Sequence, residues 1–244
     1  MVHADASRQA ELWDAWAHQH RDLYPDKDPA PAVDFLSALC GSGATALELG
    51  AGSGRVASPL ARRGVRVSAL EISAVLAQRM REQSPQLHVV EADMADFSLG
   101  SYDLIYAVHS SFFHLTEQSR QVDCMMRVRE HLAPGGALVL SCYVPDPESI
   151  LREKNLQLTT WSGDAVVLRA TTVDRNAQQI QYREVELGAA GSAVLAAEQR
   201  YCWPAELDLM ARLAGLALSD RCEDFSGARF DNESRRHVSV YRSA

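Results

Sequence analysis

The sequence predicts an α/β fold, a doubly wound and mostly parallel sheet with helices on both faces. Three observations carry that expectation. Short apolar runs alternate with helical patterns from about residue 44 to residue 144, and strand–helix alternation builds parallel sheets. The first run leads into LELGAGSGRV at 47–56, where Gly50, Gly52 and Gly54 crowd a strand-to-helix turn. From about residue 160 the pattern changes to apolar–polar alternation, the mark of antiparallel strands.

Taken in order, residues 8–20 set Leu12, Trp13, Trp16 and Ala17 at helical spacing, and a Pro-punctuated stretch, YPDKDPAP at 24–31, leads to a second short helix over 33–39. ATALEL (44–49) reads as a buried strand, RVASPLARRG as a helix closing at Gly64, and VRVSALE (65–71) as the next strand. A helix over 74–83 precedes LHVVEA (87–92), and YDLIYAV (102–108) is the fourth strand. A helix over 117–132 stops before Pro134-Gly135-Gly136, and ALVLSCYV (137–144) follows as the fifth strand. AVVLRATTVD, QIQYREVEL and AVLAAEQRYCW form an antiparallel insertion after it, spanning 160–203. The helix PAELDLMARLAG (204–215) and the strands LALSDRCE and HVSVYR complete a seven-stranded main sheet. The expected organisation is one domain over 1–244: an N-terminal helical lid (1–40), a core (41–145), the insertion (160–203) and a C-terminal helix with edge strands (204–244).

Composition narrows the function classes. The chain has 244 residues, ample for a real core. A net charge of −8 argues against a nucleic-acid partner, whose binding draws on Lys and Arg. Cys40, Cys124, Cys142, Cys202 and Cys222 are widely spaced and contain no CxxC, so neither a disulfide framework nor a zinc site is expected. MVHADASRQAELWDAW lacks the basic and apolar regions of a signal peptide. No apolar run reaches the roughly 18 residues of a membrane helix. A soluble cytoplasmic protein with a small-molecule ligand, no membrane and no bound metal is the expectation.

Glycines between a strand and a helix let backbone approach a ligand closely, with helix N-terminal amides nearby. The spacing is G-x-G-x-G, whereas a dinucleotide turn wants G-x-G-x-x-G and a Walker loop ends in G-K-[ST]. A tight turn without a ligand is the bland alternative. Acidic residues at the ends of three successive strands weigh against it. Glu48 lies one residue before the end of the first, Glu71 ends the second, where a carboxylate can take both ribose hydroxyls, and Asp93 follows the third, where it can receive an exocyclic amine.

With LELGAGSGRV, ALEIS (69–73), EADMADF (91–97), YDLIYAVHSSFFHL (102–115) and HLAPGGALVLSCYV (131–144) in this order, the sequence resembles the class I S-adenosylmethionine-dependent methyltransferases, whose fold is Rossmann-like. The resemblance covers roughly 40–145 by motif. It implies S-adenosylmethionine as cofactor and S-adenosylhomocysteine as product. Gly50, Ala51, Gly52 and Gly54 would pass against the methionine part, and Glu48 would support the loop and the amino group. Glu71 would hold the ribose, with Ile72 packed on the adenine. Asp93 and the Met94 amide would address the adenine edge, and His109 would border the transfer site.

Methyl transfer is an in-line displacement at a sulfonium, so alignment is the main demand and a base is needed only where the nucleophile must lose a proton. An amine lone pair needs positioning alone; an alcohol benefits from a base. His109 and His114 are the base candidates, because histidine titrates nearest neutrality; the alternatives are a cofactor hydrogen bond for His109 and a satisfied histidine at a helix start for His114. Tyr24 resembles a lid tyrosine packed near the sulfonium and reads equally as a loop anchor. Phe113 is a substrate candidate, and Trp161 belongs either to the pocket or to the insertion's own core. The C-terminal half resembles bacterial small-molecule methyltransferases, which adds Arg235, with Phe225 and Phe230, as substrate candidates. The leading expectation is methyl transfer to an O or N atom of a small molecule, often a secondary metabolite. A catalytically silent cofactor-binding partner, or transfer to carbon or a macromolecule, are the alternatives. Exposed strands of the insertion point to a homodimer.

Overall fold

The structure is a computed structural model that describes residues 4–19, 28–162, 165–189 and 191–244. Its main sheet has seven strands. Following the chain they are β1 (Thr45–Leu49), β2 (Arg66–Glu71), β3 (His88–Glu91), β4 (Tyr102–Ala107), β5 (Leu132–Tyr143), β10 (Leu216–Cys222) and β11 (Arg236–Ser243). Their spatial order is β10-β11-β5-β4-β1-β2-β3. β1 to β5 run parallel, and β11 pairs antiparallel with both β5 and β10. Strand order therefore reverses between β1 and β4, the place where doubly wound sheets open a crevice at their carboxyl edge.

Side-chain alternation explains why both faces are covered. Leu47 and Leu49 of β1, with Ile105 and Ala107 of β4, point to the face occupied by α5 (Gln118–His131) and α7 (Pro204–Leu213). Ala46 and Ala69, with Leu104 and Tyr106, point to the face occupied by α2 (Ala30–Cys40), α3 (Ala57–Arg62) and Met80 of α4 (Ala74–Gln83). The predicted strands are all present, and the helix over 74–83 is found with those limits. The helix after the glycine loop is shorter than expected, since turn geometry persists to Val56 before α3 begins. β5 starts at Leu132 rather than 137, with the ladder to β4 interrupted between Tyr102 and Leu104.

The insertion is larger than the sequence reading. A short helix, α6 (Pro147–Leu151), leads into a second sheet of four strands, β6 (Lys154–Ser162), β7 (Ala165–Asp174), β8 (Gln179–Gly188) and β9 (Gly191–Arg200), paired antiparallel in chain order. β6 is not legible in the sequence because it is an outer strand with Leu156 and Leu158 exposed, so no buried face imposes a readable alternation. The first helix, α1 (Ala4–His18), begins four residues earlier than the sequence suggested. It lies between the two sheets. Arg8 pairs with Glu198 of β9 at 2.5 Å, and the Trp16 indole donates to the Ala196 carbonyl at 2.7 Å.

Gly136, at the entry to the regular part of β5, has no room for a side chain. A Cβ there would sit 2.9 Å from the Ala133 carbonyl oxygen, 3.1 Å from that of Tyr102 and 3.2 Å from that of Asp103. These are backbone atoms that cannot swing aside. Gly136→Ala is expected to cost about 1–3 kcal/mol, the range for forced overpacking, read as a lower urea midpoint at unchanged slope.

Candidate active site

The carboxyl edge of β1, β2 and β4 opens into a cavity of about 570 Å³, roofed by α1. The size suits a nucleotide-scale ligand with part of a second one beside it. Glu48, Gly50, Ala51, Gly52, Glu71, Ile72, Asp93, Met94, His109 and His114 all line it. The motifs that were separate in sequence thus face one space.

The glycine loop is shaped by its backbone. Gly50, Gly52 and Gly54 all adopt positive φ (66°, 57° and 78°), which side chains resist. A Cβ on Gly50 would come within 3.2 Å of both Met94 Cε and Ser111 Cβ, so this glycine keeps the floor of the cavity open. Gly54 was expected at the cofactor. It does not line the cavity and instead sits against Met80, where it brings the loop down onto α4.

Glu71 ties this loop to the end of β2. One carboxylate oxygen accepts from the Gly52 amide at 2.7 Å and the other from the Ser73 amide at 2.9 Å. Ser73 in turn caps α4 through Leu76, and its hydroxyl donates to Asp14 of α1. Burial pushes the Glu71 carboxyl pKa up, opposed by those amide bonds. Asp93 faces the cavity with its oxygens engaged by the Arg120 guanidinium and, at 2.8 Å, the Ala95 amide.

After β4 the chain turns sharply. His109 and Ser110 both hold left-handed backbone, at φ 54° and 63°. The turn is secured by β5: the Ser110 amide donates to the Ser141 carbonyl at 2.8 Å, and the Ser110 hydroxyl accepts from the Tyr143 amide at 3.1 Å. Strain of this kind persists only where neighbours enforce it. The outcome is that His109 borders the cavity, while the 3-10 turn Ser111–His114 buries Phe112 and Phe113 and returns His114 to the cavity wall.

His114 is fully bonded. A carbonyl only accepts, so the contact of Nδ1 with the Glu198 carbonyl at 2.9 Å places the ring proton there. Nε2 then accepts from the Gln199 amide at 3.1 Å, and the Gln199 carbonyl oxygen accepts from the Tyr143 hydroxyl at 3.3 Å. Trp13 packs edge-on at 4.7 Å. Burial lowers the ring's pKa to about 4, so it is neutral at pH 7.

Several substrate candidates lie elsewhere. Phe113 is 0% exposed and packs edge-on against Tyr143 at 4.9 Å in the core rather than on the cavity. Trp161 is 76% exposed on β6, in neither the cavity nor an insertion core, because β6 has no layer packed over that position. Arg235 is exposed beside the start of β11, where its carbonyl receives the Val144 amide. Phe225 packs on Phe35 of α2 and Phe230 lies near His237, so the whole β10–β11 connection stands apart from the cavity. Tyr24 lies outside the described residues. Asp5 and Gln9 were missed: both line the cavity from α1. Their signal was polar residues at positions i and i+4 ahead of Trp13, on the face that buries Trp16.

Glu48 is 2% exposed and accepts from the Tyr106 hydroxyl at 3.1 Å and from the Ala57 amide. Burial pushes its pKa from 4.5 up to about 8, and the negative charge of Glu71 adds to the rise, while the two hydrogen bonds oppose it. A carboxyl with a raised folded pKa binds extra protons on folding, so stability is lost as pH rises from about 4.5 through about 8. Glu48→Gln is therefore expected to gain on the wild type as pH goes from 5 to 8.5, by roughly 4 kcal/mol in total. Urea midpoints of both proteins across that range check it; a constant difference would refute it.

A family model described as a methyltransferase domain matches residues 46–136. The cypemycin N-terminal methyltransferase of a Streptomyces species is 28% identical over 232 residues, covering 93% of this chain and 86% of that protein. Among solved structures, the CcbJ methyltransferase of Streptomyces caelestis is 37% identical with a TM-score of 0.86, covering 90% of this chain and 97% of that one. CalS10 of Micromonospora echinaspora, an amino pentose methyltransferase solved with S-adenosylmethionine bound, shares the fold at 20% identity and a TM-score of 0.70, covering 95% and 97%. With its glycine loop, strand-end carboxylates and roofed cavity on one edge of this sheet, the chain belongs to the class I S-adenosylmethionine-dependent methyltransferases.

Proposed function

We propose that the enzyme methylates the nitrogen of a small-molecule amine. The observation that carries this reading is His114: both ring nitrogens are committed and the ring is neutral, so this wall of the cavity positions a nucleophile and does not take its proton. An amine needs no more than that, whereas an alcohol benefits from a base. The names of two similar proteins agree with an amine, one an N-terminal methyltransferase and one acting on an amino pentose.

S-adenosylmethionine supplies a methyl group on a sulfonium, an electrophile that reacts once a nucleophile is aligned. The residues present fit it. Gly50, Ala51 and Gly52 offer a floor without side-chain obstruction, and buried Glu48 stands beneath that floor to meet the cofactor's ammonium. Glu71 retains lone pairs for ribose hydroxyls beyond the two amides it already holds, and Asp93 with Ile72 and Met94 borders the adenine seat. α1 and His109 border the cavity on the side where the acceptor would lie. The described residues contain no helix long and apolar enough to cross a membrane, and we assign a cytoplasmic location on the strength of five unpaired cysteines.

Calorimetry is expected to show micromolar binding of S-adenosylmethionine and S-adenosylhomocysteine and none of NADH. Glu71→Ala should weaken both by about 10–100-fold, the worth of hydrogen bonds to a charged group. Labelled methyl should enter methyl 3-amino-3-deoxyglucopyranoside and not methyl glucopyranoside; equal transfer to both would refute the nitrogen assignment. The exposed outer strand β6 supports pairing of two copies along that edge. A light-scattering mass at the 26.8 kDa of one chain would exclude that dimer.

A further inference from the structure

α1 crosses the carboxyl edge of the sheet in a definite direction. Its C-terminal half stands over β2 and α4: Asp14 accepts from the Ser73 hydroxyl at 2.5 Å, and the Ala17 carbonyl accepts from Arg79 at 2.6 Å. Its N-terminal half stands over the end of β4, where Asp5 accepts from the Thr116 hydroxyl and Arg8 holds β9. The carboxylate that ends β2 and the glycine loop lie toward the first half. The second half roofs the remaining end of the cavity, beside His114 and Leu115.

Gln9 belongs to this half of the helix. It is 4% exposed, lines the cavity, and among the described residues neither its Nε2 nor its Oε1 has a hydrogen-bond partner. Buried amides are almost always satisfied, so a side chain left with both ends unpaired at a cavity wall is kept for something that enters the cavity. Asp5 lies one helical turn before it, and residues at i and i+4 place their Cβ atoms about 5–6 Å apart. A carboxylate and a neutral amide so placed meet two adjacent polar atoms of one ligand. Trp13, Leu115 and Ala6 supply apolar wall around them.

Resting on the amine reading above, we propose that Asp5 and Gln9 form the acceptor subsite and recognise an amine with a hydroxyl or carbonyl on the neighbouring carbon. The Asp5 carboxylate accepts an N–H of the amine, and Gln9 bonds the neighbouring oxygen. This leaves the nitrogen lone pair directed toward the cofactor end. In the transfer the lone pair forms the N–CH3 bond, the S–CH3 bond breaks with its electrons left on sulfur, and the surplus N–H proton departs to water. Gln9 touches the acceptor and not the reacting atoms.

The test compares Gln9→Leu with the wild type in three readouts. Removing an unpaired buried amide should raise the melting temperature of the ligand-free protein by about 2–4 °C. The dissociation constant for S-adenosylhomocysteine should stay within about twofold. For methyl 3-amino-3-deoxyglucopyranoside, kcat/KM should fall about 10-fold, while for cyclohexylamine, which lacks the neighbouring oxygen, it should not change. A variant that melts lower, binds S-adenosylhomocysteine more weakly, or loses both amines equally would overturn the role of Gln9. Wild-type protein that binds S-adenosylhomocysteine but methylates neither amine would overturn the amine reading itself, and the melting and binding readouts still judge Gln9.

Discussion

The bonds from the Gly52 and Ser73 amides to the two oxygens of Glu71 hold the ligand edge of this protein together. They fasten the turn after β1 to the end of β2, and Ser73 passes the connection on to α4 as its cap and to α1 through Asp14. A loop with three glycines at positive φ has many other conformations open to it. A buried carboxylate offering oxygens to two separate amides selects one of them, because leaving a buried charge or amide unbonded costs more than the loop's lost freedom. The same carboxylate stands at the place where a ribose would lie, so the group that shapes the site also belongs to it.

The second constraint comes from above. α1 is an amphipathic helix whose face toward the sheet includes Trp13 and Trp16, but it is positioned by polar contacts at both ends rather than by packing alone. Arg8 and Trp16 join it to β9, Asp5 to the turn after β4, and Asp14 and the Ala17 carbonyl to α4. The insertion therefore acts on the site without lining much of it. β9 supplies the Glu198 carbonyl and the Gln199 amide that hold His114 as a neutral wall, and it anchors the helix that closes the cavity. A change in β9 would reach the cavity through these two routes.

Opposed demands meet at Glu48 and His114. Both are buried at the cavity and both are driven toward the neutral form, one by a raised pKa and one by a lowered pKa. A neutral His114 and a protonated Glu48 offer no strong nucleophile of their own to the electrophile. Glu48 differs from His114 in having a use for its charge, since a ligand ammonium beside it would restore the ionised form.

The parallel core was legible in the sequence because each element there depends on near neighbours. Alternating apolar runs set β1 to β5, glycines at fixed offsets set the turn after β1, and Glu48, Glu71 and Asp93 fall at strand ends that a parallel sheet brings to one edge. Those residues needed no knowledge of distant contacts to be found. Phe113, Trp161 and Arg235 look like substrate residues by type and neighbourhood alone, and the fold sends them to the core, to an exposed outer strand and to a far loop. β6 carried no readable pattern because no layer covers it. The bonding of His114 depends on Glu198 and Gln199, more than eighty residues away, and the place of Gln9 in the cavity wall depends on how α1 is pinned by β9 and α4. Local chemistry in the chain determined the sheet, the glycine turn and its acidic strand ends; long-range packing alone decided which polar groups are satisfied, which are left facing the cavity, and so which end of it is left to receive the acceptor.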